Sequence, residues 1–209
     1  MESGSKRVFA CAFDWPGWCR SGKGEEAALE ALATYAQRYA VVAAEAEVSF
    51  PPEAAADFEV LDRITGSKNA DFGALGAPPA RDAEPISPEE AGRQASLLAG
   101  AWRVFDRVVA GAPPELRKGP RGGGRDRDKI VTHVLEAEAG YGSRIGLRLG
   151  PVEPGDGASL RRHREAILDR LGAAYQPVGK GWPLPYAFRR FTWHVLDHAW
   201  EIEDRIPQE

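Results

Sequence analysis

The chain has 209 residues, 43% of them hydrophobic, with 27 Lys and Arg against 31 Asp and Glu and a net charge of −4. That length and composition suit a folded protein with real cores and exclude a disordered tail. The charge balance gives no overall pull toward nucleic acid or an anionic membrane, and the longest smooth apolar run, Ala40 to Ala44, is far short of the roughly 20 residues that cross a bilayer.

Residues 1–65 read as a small α+β domain. An alternating apolar run near Val8 gives way to a Pro and Gly turn and then to an alanine-rich helix, which predicts strand, turn, helix. Val48 to Phe50 and Phe58 to Ile64 read as further strands. Cys11 and Cys19 lack CxxC spacing and a second pair, so Cys11 reads as strand core and Cys19 as a turn thiol, with no chemistry assigned to either. Residues 66–86, rich in Gly, Pro and Ala, have neither helical nor strand period and read as a linker.

From Ser87 the pattern is helical. Ser87 stands as N-cap with Pro88 at the first helical position and Glu90 three residues on, and the run ends at Gly111. A Gly-rich loop follows, then a second helix, KIVTHVLEAEAGYGSRIGLRL, carrying His133; a third, ASLRRHREAILDRLGAAYQ; and a fourth, PYAFRRFTWHVLDHAWEIEDRIP, bounded by Pro207. Four helices around one apolar seam predict an antiparallel four-helix bundle over 87–209, where metal sites are built from side chains on facing helices.

The chain has four histidines, and three of them suggest a site. His194 and His198 are four apart on one helix face, a ready clamp for one ion, and His133 is the third ligand. Imidazole ligands suit Zn, Ni, Fe or Cu, with Zn or Ni expected, and disfavour Mg or Ca. Three protein ligands leave positions open for water or substrate, which leans toward catalysis. Glu201 lies on the same stripe as His194, His198 and Arg205, and reads as the catalytic neighbour: a fourth ligand, an acceptor behind a histidine, or a surface residue.

The other charges read as scaffold. Asp197, Glu136 and Glu138 are expected as solvated helix charges and His163 as solvent-facing, with Tyr141 a buried tyrosine and Trp193 and Trp200 core anchors. The loop from Arg117 to Lys129 carries Arg117, Lys118, Arg121, Arg125, Arg127 and Lys129 against Asp126 and Asp128. It is expected to be solvated, with contact to phosphate or an anionic thiol cofactor as the alternative.

The segments LLAGAWRVFDRVV, THVLEAEAGY and WHVLDHAWEIEDR together resemble the DinB-like (YfiT-like) family of metal-binding helical bundles, over about residues 87–207. The resemblance implies that His133, His194 and His198 hold a divalent metal, that the reaction is thiol-dependent transfer or hydrolysis on a small-molecule substrate, and that the protein is a homodimer; with no signal peptide or spanning segment read in the sequence, the cytoplasm is the expected location. The strand followed by DWPGWCRSGKGEEAALEAL is similar to HicB-like small domains, which implies a binding or dimerisation module. A non-catalytic metal-binding or partner-binding protein and a HicB-like regulator are the alternatives to an enzyme.

Overall fold

A computed structural model describes residues 1–119, 123–172 and 181–207. Among these residues the fold is α+β, with six α-helices and a small mixed sheet of four strands. Strands β1 (Glu2–Ser3), β2 (Val8–Cys11) and β3 (Cys19–Gly22) precede helices α1 (Glu25–Thr34) and α2 (Ala36–Glu45), and β4 (Ile64–Thr65) closes the sheet in the order β3-β2-β1-β4. The pairings β1–β2 and β2–β3 are antiparallel and β1–β4 is parallel.

Three expectations for this region are corrected. The segment read as turn leading directly to helix contains β3, so the order is strand, turn, strand, helix. Cys19 is therefore a strand residue, opposite Cys11 in the hairpin register, and the two are joined as a disulfide. Their type and number say little alone, whereas cross-strand pairing brings their Cα atoms to 4.1 Å, close enough to bridge. Val48 to Phe50 forms no strand, and of the run from Phe58 to Ile64 only Ile64 does. Phe50 instead packs edge-on against Trp15 and Trp18 at 4.8 and 5.3 Å, and Phe58 against Trp18 at 5.6 Å. These aromatic contacts bury apolar surface without strand pairing, and Pro51 and Pro52 supply no N–H to extend a ladder.

The hairpin turn is fixed from both sides. Trp18 donates through Nε1 to the Leu32 carbonyl at 2.8 Å, and Tyr39 donates to the Pro16 carbonyl at 2.9 Å. Gly17 has φ of 92°, where an L side chain is strained, and a Cβ there would come within 2.7 Å of Thr192 Cγ2. Glycine thus permits both the turn and its close approach to the last helix.

Residues 66–86 are held between the sheet and that helix. Ala70, Leu75 and Asp82 are buried, Asp82 pairs with buried Arg189, and the Arg190 guanidinium donates to the Leu75 carbonyl at 2.5 Å. Asp71 accepts from the Ser5 hydroxyl and from the backbone N–H groups of Ser5, Lys6 and Arg7. These bonds, the Ser5 hydroxyl's first, hold its carboxyl down at about 2.

Four long helices complete the chain: α3 (Pro88–Gly111), α4 (Arg127–Arg144), α5 (Gly157–Gly172) and α6 (Leu184–Arg205). The Ser87 hydroxyl accepts from Glu90 N–H at 3.1 Å, as the capping pattern predicts. The expected end of the third helix, at 173–176, and Arg121 lie outside the described residues. Helix α6 is buried nearly all round, since α3, α4 and α5 pack against it and the sheet side covers the rest. Trp193 meets Phe9 of β2 at 5.7 Å, Trp200 meets Tyr35 at 5.1 Å, and one apolar core runs from Val8 and Trp18 through Leu98 and Ile130 to Ile202. No described helix is long and apolar enough to cross a membrane.

Candidate metal centre

Helix α6 places Arg190, His194, His198, Glu201 and Arg205 on one stripe by steps of four, four, three and four residues, and α4 brings His133 against it. One ligand nitrogen from each of His133, His194 and His198 lies within 4.8 Å of the others, close enough for the three to hold one metal ion. His133 Nε2 and His194 Nε2 are 3.3 Å apart, and the three ring centroids are separated by 4.7–5.1 Å. Two nitrogens each about 2.0–2.1 Å from an ion at a tetrahedral angle stand about 3.3 Å apart, so this pair already has the spacing such an ion requires.

Local electrostatics keep the rings ready to donate lone pairs. Burial lowers the His133 pKa, helped by His198 and Arg125. Burial also depresses His194 to about 2, with His198, His133, Arg190 and Arg125 adding to the effect. Both are therefore neutral near pH 7, the state a metal needs. His194 Nδ1 is buried without a hydrogen-bond partner, so no bond from that nitrogen helps to orient the ring. Its ring stands 5.5 Å from the Tyr141 ring and 5.9 Å from that of Trp193.

His198 is held from behind. Its Nδ1 is 2.8 Å from Glu201 Oε2, while Glu201 Oε1 accepts from Arg205 at 2.7 Å, and Arg205 Nε in turn donates to the Arg117 carbonyl at 2.7 Å. Burial pushes the Glu201 carboxyl up, but His198 and Arg205 outweigh it and hold it below the usual range. Of the three roles open to Glu201 in the sequence, the geometry matches the acceptor behind a histidine: both oxygens are engaged and neither joins the ligand cluster. An Nδ1–H bonded to a carboxylate leaves Nε2 as the lone-pair atom.

The remaining expectations divide. Trp193 and Trp200 are core, and Tyr141 is packed between Trp182, Phe191 and His194. Asp197 stays half-exposed and pairs with Arg20 at 3.2 Å, while Glu136 is exposed. Glu138 and His163 are corrected: both are buried, at 1% and 5% exposure. Glu138 accepts from Trp102 Nε1 at 2.5 Å, and its other oxygen lies 3.9 Å from His163 Nε2. Helix periodicity carried a signal for both. Glu138 continues the buried row Ile130, Val134, Gly142, and His163 continues Ile167, Leu171, each in steps of four.

Comparison of the chain with protein-family models, curated proteins and solved structures returns no match.

Proposed function

We propose that the chain binds one divalent transition-metal ion, zinc or nickel, through His133, His194 and His198, and that α3 to α6 form an antiparallel four-helix bundle of the DinB-like type acting as a metal-dependent transferase or hydrolase. The observation that carries the reading is the 3.3 Å approach of His133 Nε2 and His194 Nε2 with His198 beside them. Two imidazole rings from helices 61 residues apart in sequence, both kept neutral, find a common purpose in sharing an ion. Three nitrogen ligands leave room for a water or substrate group, which distinguishes such a site from a closed structural one.

A bound ion of this kind lowers the pKa of a coordinated water or thiol and so supplies a nucleophile at neutral pH. The residues do the rest. Glu201 fixes the His198 tautomer and ring plane, Arg205 holds Glu201, and Tyr141 and Trp193 flank His194 with apolar surface, Phe191 packing against Tyr141. The test is zinc and nickel content after metal loading. Wild type should hold about one ion per chain, and His133→Ala, His194→Ala and His198→Ala should each lose it; retained stoichiometry in all three variants overturns the site. Cleavage or thiol transfer that appears on metal loading and vanishes with the same variants separates an enzyme from a metal-binding protein.

A further inference from the structure

Arg190 sits one turn before His194 on the ligand stripe, between two aromatic rings that also meet that histidine. Its guanidinium carbon lies 5.2 Å from the Tyr141 ring centre and 4.9 Å from that of Trp193, the two rings that flank His194. One terminal nitrogen donates to the Leu75 carbonyl. Yet Nε is buried with no acceptor, which leaves a charged donor unsatisfied beside the histidines.

The charge inventory points the same way. Three neutral imidazoles bring no negative charge to an ion of charge +2, in contrast to sites with a carboxylate ligand. The nearest carboxylate, Glu201, is tied to Arg205, Asp197 is tied to Arg20, and Glu136 faces solvent. Arg125, exposed and without an ion pair among the described residues, adds positive potential at both His133 and His194. The loaded centre thus carries net positive charge, offset only in part by Glu201 and Glu136.

Building on the metal reading above, we infer that the substrate is a small anion: one group ligates the metal, and a carboxylate or similar oxyanion roughly one helical turn away is bound by Arg190. Arg190 is a specificity residue in this account, and its guanidinium supplies the charge-assisted hydrogen bond to the oxyanion.

The test uses the full chain loaded with cobalt(II), whose absorption reports thiolate ligation, and two thiols of equal length, 3-mercaptopropionate and its neutral amide. On binding, each thiol gives its proton to the buffer and ligates as thiolate. Wild type should bind the carboxylate form about tenfold or more tightly than the amide, the scale of one charge-assisted hydrogen bond. Arg190→Gln should bring the ratio close to one with cobalt stoichiometry unchanged, and Arg190→Lys should keep part of the preference. A strut role alone alters thermal stability and leaves the ratio untouched. Equal affinities in wild type, an unchanged ratio in Arg190→Gln, or no thiolate band with either thiol on cobalt-loaded protein overturns the inference. Failure to take up cobalt overturns the metal reading beneath it. Should Arg190→Gln not fold, the wild-type ratio and the Arg190→Lys ratio decide.

Discussion

Glu201 Oε2 stands 2.8 Å from His198 Nδ1, one helical turn along α6, and the same carboxylate is held by Arg205. A carboxylate behind a ligating imidazole orients the ring and raises its basicity, and losing it typically weakens metal binding by about 10–100-fold. Glu201→Ala should therefore bind zinc that much more weakly than wild type, measured by competition with a chromophoric chelator. Glu201→Gln, which keeps an acceptor oxygen but no charge, should fall between the two. Equal affinities for all three proteins would remove Glu201 from the site.

Glu138 provides a pH-dependent prediction away from the metal centre. Burial raises its carboxyl from the usual 4.5 to about 7, against opposing effects of Arg164 and the Trp102 hydrogen bond. The folded state holds this proton more tightly than the unfolded chain, so the associated stability is complete below about pH 4.5 and lost as pH rises through 7. The shift corresponds to about 3 kcal/mol. Histidines with lowered pKa act in the opposite direction, so the difference between wild type and Glu138→Gln isolates the effect. In urea unfolding the variant should gain on wild type as the pH is moved from 5 to 8. A difference that stays constant contradicts the assignment.

The buried pair Asp82 and Arg189 joins residues 66–86 to α6, at 2% and 3% exposure. Burial raises the Asp82 pKa while Arg189 opposes it, so the pair is a weak source of net stability. Breaking it is a different matter, because a lone arginine charge would remain inside. Asp82→Leu should cost about 3–5 kcal/mol, and the double variant Asp82→Leu, Arg189→Met should recover much of that loss. Chemical denaturation of the three proteins checks this; additive losses would contradict it.

The site was legible in the sequence because its information is local. His194, His198, Glu201 and Arg205 fall on one stripe by helix period alone, and the cap at Ser87 and the end at Gly111 fix α3 to the residue. His133 could be placed on a helix, but only packing shows that α4 meets α6 at that level. What stayed hidden depends on contacts distant in sequence or on a second structural element. The strand at Cys19 was masked by Gly and Pro turn residues around it, and its cysteine's role needed the hairpin register. Phe50 and Phe58 had strand-like neighbours, yet an aromatic cluster claimed them. Polar type overrode position for Glu138 and His163, although each lay on a buried row. Arg190 was also on the ligand stripe, and its unpaired Nε appears only once the rings around it are in place.

X-ray absorption at the zinc edge of metal-loaded protein tests the central claim most directly. The account predicts about three imidazole nitrogens near 2.0–2.1 Å with light-atom ligands in the remaining positions, and loss of the imidazole scattering signature in the His194→Ala protein. A first shell of oxygen or sulfur without imidazole, or a spectrum unchanged by that substitution, would contradict it.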